Sequence, residues 1–210
     1  RQEIYLTQEN QQSIHTFEIN FKQLENFFSE TNKFILLYGD ERSGKKYILN
    51  SFINCFHFDK KIFYASLEDD YFSEKILEGI SYFDVIVLDR LDLAPTNPNW
   101  ELGIFNLYNE LNEADKNKII FLSDKPLNSI EFNLKDLQSR IASISAMSFA
   151  ELNDEEKRIL MELIFQKRGI SIDNSVLSYA LERSSRNLEN IINLVQKIDE
   201  YSLSKKRNIT

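Results

Sequence analysis

Five short stretches of the chain are apolar almost throughout rather than alternating: Phe34 to Tyr38, Lys61 to Ser66, Asp84 to Asp89, Lys118 to Ser123 and Ile144 to Phe149. Runs of that length, rich in Ile, Val and Phe, suit strands buried on both faces, the pattern of a parallel sheet. Between them apolar residues recur at helical spacing over Lys45 to Phe56, Tyr71 to Tyr82, Asn99 to Ala114 and, more briefly, Leu134 to Ile141. An earlier amphipathic helix places Phe17, Phe21, Leu24 and Phe28 on one face ahead of the first strand. This alternation predicts an α/β fold with a five-stranded parallel sheet flanked by helices.

After Phe149 the pattern is helical only. Asn153 followed three residues later by Glu156 is a capping box, which opens a helix to about Lys167 that Gly169 ends. A second helix is expected over Asn174 to Arg183, and a last one with Leu188, Ile191, Ile192, Val195 and Ile198 on one face. The expected organisation is a tail over residues 1–14, an α/β body over 15–150 and a small three-helix lid over 151–210, with no internal repeat.

Composition narrows the function. A hydrophobic fraction of 42% with only 5 Gly and 3 Pro excludes disordered and collagen-like classes. With 25 basic against 33 acidic residues the net charge is −8, which opposes non-specific or strong direct DNA binding and leaves room for a local cationic pocket. Cys55 alone makes neither an internal disulfide nor a Cys-based zinc site, and His15 and His57 fall in no ligand spacing. The apolar runs stop far short of the ~20 residues of a membrane helix. A cytoplasmic protein without a membrane contact is expected, with Arg1 a trimmed start.

Candidate chemistry begins after the first predicted strand. Gly39, Gly44 and Lys45 fit G-x-x-x-x-G-K, a loop whose backbone N–H groups and following helix N-terminus cradle a phosphate while the Lys neutralises it. The alternative is a glycine-bearing turn with an exposed Lys. The next position is Lys46, where the motif wants a Ser or Thr hydroxyl on Mg²⁺, a departure that weakens metal-dependent chemistry more than binding. The third strand ends Val85-Ile86-Val87-Leu88-Asp89-Arg90. Asp89 can help hold Mg²⁺ if that ion is bound, or can be a solvated acid at a strand end. A carboxylate that polarises water is wanted next, and Arg90 stands there. Asp92 is a remote substitute.

These features, with Trp100-Glu101, the Ile104-Phe105-Asn106-Leu107-Tyr108-Asn109 run, Ser123-Asp124-Lys125-Pro126 and Leu137-Gln138-Ser139-Arg140, resemble the AAA+ core of the DnaA family. The resemblance runs from about residue 15 to the C-terminus and is strongest to the family's short Hda-type branch, the regulatory inactivators of DnaA. No C-terminal helix-turn-helix DNA-binding domain is expected after the lid, and an initiator is accordingly not expected. The resemblance implies an ADP or ATP site of Gly39, Ser43, Gly44, Lys45, Lys46, Asp89, Asp124 (sensor 1) and Arg186 (sensor 2, from the lid). It implies that Arg140 is an arginine finger acting on a neighbouring subunit's nucleotide. The plain alternatives are a solvated Arg186 and an Arg140 paired with Asp136.

The implied partners are the ATP form of DnaA and the DNA polymerase III sliding clamp, and a homo-oligomer is compatible too. Clamp tethering in the family uses an N-terminal peptide of Gln plus alternating aliphatics, matched here by Gln2, Ile4 and Leu6 with Glu3 in place of Leu. A short amphipathic strand edge explains that peptide equally. The expected function is a nucleotide-binding negative regulator of replication initiation with little ATPase activity of its own. A self-sufficient ATPase such as a helicase loader, and a scaffold that has lost nucleotide, are the alternatives.

Overall fold

The computed structural model describes residues 14–40, 43–56, 59–113, 117–167, 169, 173–183, 190, 192–195 and 197. They divide into two compact units, one drawn from residues 24–40 and 59–149 and the other made of the remaining described residues.

The first of these holds a five-stranded parallel sheet of β1 (Phe34–Tyr38), β2 (Ile62–Ser66), β3 (Val85–Asp89), β4 (Lys118–Ser123) and β5 (Ser145–Ser148), in the order β2-β3-β4-β1-β5. Register pairs Leu36 with Phe121, Leu37 with Met147 and Val87 with Ile120. The runs of β1, β3 and β4 are strands buried on both faces, whereas β2 is mostly half-buried and β5 largely exposed. Phe34, Leu36, Ile86, Leu88, Ile119 and Phe121 join one core with Trp100, Ile104 and Leu107 of a helix over Pro98–Glu113 and Leu137 and Ile141 of another over Lys135–Ala142. Their alternates Ile35, Leu37, Val85, Val87, Ile120 and Leu122 are buried as well.

Numbered with His15–Ser29 as α1 and Lys45–Phe56 as α2, those two helices are α3 and α4. Lys118 at the start of β4 closes the end of α1, its Nζ donating to the carbonyls of Phe27 (2.9 Å), Glu30 (2.7 Å) and Asn32 and lying 4.7 Å from the Phe27 ring centroid.

In the other unit, Phe17 of α1 meets Tyr47 edge-on and Phe21 meets Phe52, with ring centroids 6.1 and 5.4 Å apart. The C-terminal segment begins with α5 (Asp154–Lys167) packed on α6 (Asn174–Arg183). The capping box forms: Glu156 N–H donates to Asn153 Oδ1 (2.9 Å) and Asn153 N–H to Glu156 Oε2 (3.0 Å). Residues 190, 192–195 and 197 are helical and Val195 is buried, whereas Leu188, Ile191 and Ile198 lie outside the described residues.

One predicted helix is absent. Residues 71–82 form turns around a single 3-10 turn, Glu74–Leu77. Ser73 and Glu78 flank it with extended backbone, and Gly79 takes φ +69°, so no α-helix runs through. Leu77 and Ile80 are buried from this looped path while Tyr71 stays 95% exposed.

Candidate functional site

The loop between β1 and α2 starts in one unit and ends in the other. Gly39 extends the β1 ladder, its N–H donating to Ser123 O at 3.2 Å. In the other unit, Gly44 adopts φ +73°, the left-handed conformation that a Cβ would strain, and its carbonyl accepts the Ile48 N–H (2.9 Å). Lys45 opens α2, whose first turn carries no acidic residue of its own at the positive end of the helix dipole.

Two polar side chains here are buried, Ser43 at 1% and Lys45 at 2% exposure. The Ser43 hydroxyl has no hydrogen-bond partner among the described residues. A buried, unsatisfied hydroxyl costs about 1–3 kcal/mol, which an arriving acceptor would recover. Orphan hydroxyl, buried ammonium and helix N-terminus together fit an anionic oxygen such as phosphate. Lys46 follows, half-buried, and brings an ammonium where a metal-binding hydroxyl would stand.

The second group lies wholly within the sheet unit, at the C-terminal ends of β2, β3 and β4. Asp89 is fully buried and accepts the Tyr64 hydroxyl on Oδ2 (2.6 Å) and the Arg90 N–H on Oδ1 (2.8 Å). Arg90 has φ +61° and ψ +43°, a left-handed conformation unusual for a residue with a Cβ. Its guanidinium pairs with Glu68 (3.1 Å), Asp92 (3.3 Å) and Asp124 (3.3 Å), and Asp92 Oδ1 also accepts the Asp124 N–H (3.2 Å). Partial burial works against the Arg90 charge. The Asp92 hydrogen bond and the charges of Asp92, Asp124 and Glu68 more than offset it, so its pKa stands above the ordinary arginine value.

Asp89 and Asp124, predicted separately, are thus bridged by Arg90. Glu68 and Tyr64 are the members the sequence reading missed, although parallel strands end on one side, so acids just past β2, β3 and β4 had to meet there.

Arg140 is exposed in the last turn of α4 and makes no ion pair among the described residues, with Asp136 or any other acid. Its guanidinium stands 5.9 Å from the ring centroid of Tyr108, which stacks on Phe34 at 4.1 Å. One more residue, quoted above only for the resemblance, holds this helix. The Glu101 carboxylate of α3, 1% exposed, accepts the backbone N–H groups of Asn133 (2.8 Å) and Leu134 (2.7 Å) just before α4. Gln2, Ile4, Leu6 and Arg186 lie outside the described residues.

Residues 154–210 match the family model of the Hda lid domain. The chain is 26% identical to an uncharacterized protein of Haemophilus influenzae, over 92% of this chain and 91% of the other. Among solved structures, domain III of the replication initiation protein DnaA of Thermotoga maritima is similar with a TM-score of 0.71 and 13% identity, covering 93% of this chain and 88% of that one. The chain has the fold of DnaA domain III, and its C-terminal segment matches the Hda lid domain. AMPPCP-bound DnaA from Aquifex aeolicus is also similar, with a TM-score of 0.60 and 21% identity over 90% of this chain and 63% of that one. The five-stranded parallel sheet thus precedes a segment, residues 154–210, that matches the Hda lid model. No helix among its described residues is long and apolar enough to cross a membrane.

Proposed function

We propose that this DnaA-like protein binds ADP or ATP without appreciable turnover and regulates DnaA by promoting hydrolysis of the ATP that DnaA carries. The observation that carries this reading is Arg90: a cation, tied to Asp92 and Asp124, follows Asp89 where a water-polarising carboxylate would be needed. A self-sufficient ATPase of the helicase-loader kind would need that carboxylate. Nucleotide binding itself is supported by the Ser43, Gly44 and Lys45 anion site and by the AMPPCP-bound state of the similar Aquifex DnaA. In this reading Gly39 and Lys46 belong to the phosphate loop, Asp89 and Asp124 face the nucleotide, and Arg186 reaches it from the lid. The nucleotide supplies no chemistry here; it is a structural ligand.

Arg140 is the group proposed to act on the partner. Hydrolysis concentrates negative charge on the γ-phosphoryl oxygens, and a guanidinium delivered from a second subunit stabilises it. The exposed position of Arg140, unpaired with acid and beside a stacked tyrosine, suits such delivery. Fingers of this kind contribute roughly 10³–10⁵ in rate, about 4–7 kcal/mol of barrier. The DNA polymerase III sliding clamp is proposed as the platform, engaged through Gln2, Ile4 and Leu6.

The experiment mixes the protein with ATP-loaded DnaA and DNA-loaded clamp and follows ATP loss. Wild type should accelerate it, while Arg140→Ala and Arg140→Lys, which loses the planar fork but keeps the charge, should not. Stimulation by Arg140→Ala equal to wild type would make Arg140 structural.

A further inference from the structure

We infer that Arg90 stands as a tethered cation among the carboxylates that would otherwise receive a divalent ion, and that the chain therefore binds its nucleotide without magnesium. This rests on the nucleotide-binding reading above and specifies what that site requires.

Magnesium demands a near-octahedral shell of oxygens at about 2.0–2.1 Å, and nucleotide proteins of the phosphate-loop type supply part of it from the loop hydroxyl and the acid ending the third strand. The loop offers no hydroxyl at that position here, and the strand acid is already engaged. The hydroxyl position is Lys46, an ammonium donor with no lone pair. Both Asp89 oxygens accept hydrogen bonds, from the Tyr64 hydroxyl (2.6 Å) and the Arg90 N–H (2.8 Å). The nearby acids are engaged by one side chain: Arg90 Nε and Nη2 reach Asp92 at 3.4 and 3.3 Å, Nε reaches Asp124 at 3.3 Å and Nη1 reaches Glu68 at 3.1 Å. An entering ion would have to break these bonds and sit beside a guanidinium that stays charged at any working pH.

The backbone supports the same assignment. Arg90 keeps the left-handed conformation, φ +61°, that few residues with a Cβ adopt, and in it the guanidinium reaches three acids coming from three strand ends. The protein thus carries its counter-charge in the chain, and nucleotide retention no longer depends on the free magnesium concentration.

The test measures the rise in Tm with ADP, in excess MgCl₂ and in excess EDTA, for wild type, Arg90→Ala, Arg90→Lys and, as the control that removes the anion site, Lys45→Ala. Wild type and Arg90→Lys should show the same rise in both buffers. Arg90→Ala, its carboxylates released, should show a larger rise in MgCl₂ than in EDTA and should bind Mn²⁺ by electron paramagnetic resonance where wild type does not. If Arg90→Ala fails to fold, the wild type and Arg90→Lys arms decide. A wild-type rise that appears only with MgCl₂ overturns the inference and leaves nucleotide binding standing. No rise for folded wild type in either buffer overturns nucleotide binding, and the inference with it.

Discussion

Three donors meet the Glu156 carboxylate: the Thr16 N–H (2.8 Å), the Thr16 hydroxyl (2.8 Å) and the Asn153 N–H (3.0 Å). Burial alone would push this carboxyl up. The two Thr16 bonds and the Asn153 bond more than offset it, with a smaller contribution from His15, and hold its pKa below the ordinary glutamate value. A carboxylate depressed in the folded state contributes stability that is fully present above its unfolded pKa, about 4.3, and is lost as pH falls through the lower folded value. Glu156→Gln should therefore cost about 1–3 kcal/mol at neutral pH, and its deficit against wild type in urea unfolding should shrink below about pH 4. A deficit independent of pH would assign the cost to shape rather than charge. The Asn153–Glu156 pair was legible because a capping box is local, three residues of one turn. Thr16 was not, since its partner is 140 positions away. The same holds for Arg90: its presence after Asp89 was readable as a missing base, but its acids come from three separate strand ends.

At the scale of elements, α4 illustrates a helix whose start depends on a neighbour. Leu134 precedes it with no side-chain cap of its own, and Glu101 of α3 accepts the Asn133 and Leu134 amides instead. Removing that acceptor strands two amides at 2.8 and 2.7 Å from a carboxylate no longer there. Glu101→Ala should cost about 2–4 kcal/mol in urea unfolding and should also weaken any stimulation of DnaA, because α4 carries Arg140. Full stability in the variant would show that water replaces the carboxylate. Strand and helix bounds were legible to within about one residue, the ordinary uncertainty of element ends, because continuous apolar runs have few alternatives to a parallel sheet. The 71–82 segment was misread for a physical reason. Its apolar positions mimic helical spacing, yet Gly79 takes a positive φ, and Leu77 and Ile80 enter the core, with Ile76 packed partly against it, from a looped path.

For the whole molecule, the charge of −8 sets the style of interaction expected. Such a chain gains nothing from a phosphate backbone, so proximity to DNA would have to come through a protein platform. A short peptide that orders on docking binds weakly alone and gains from several copies on a ring. Pull-down of the DNA polymerase III sliding clamp should accordingly be strong for wild type and lost in the Gln2→Ala, Leu6→Ala double variant; equal recovery would remove residues 2–6 from the proposal.

The strand order has one more consequence, in exchange kinetics. β1 lies between β4 and β5 and β4 between β3 and β1, so their amides have partners on both sides, while β2 and β5 are edges. Amides in doubly flanked strands are released to deuterium only by openings that approach global unfolding, and edge strands open earlier. Gly39, bonded to Ser123 O, belongs with the slow set although it begins a loop. In peptide-resolved exchange, β1 through Gly39 and β4 should stay protected after β2 and β5 have exchanged. Any protection that ADP adds to residues 43–46 would then appear directly after a sheet segment that is already silent, and the phosphate loop would carry its own internal reference.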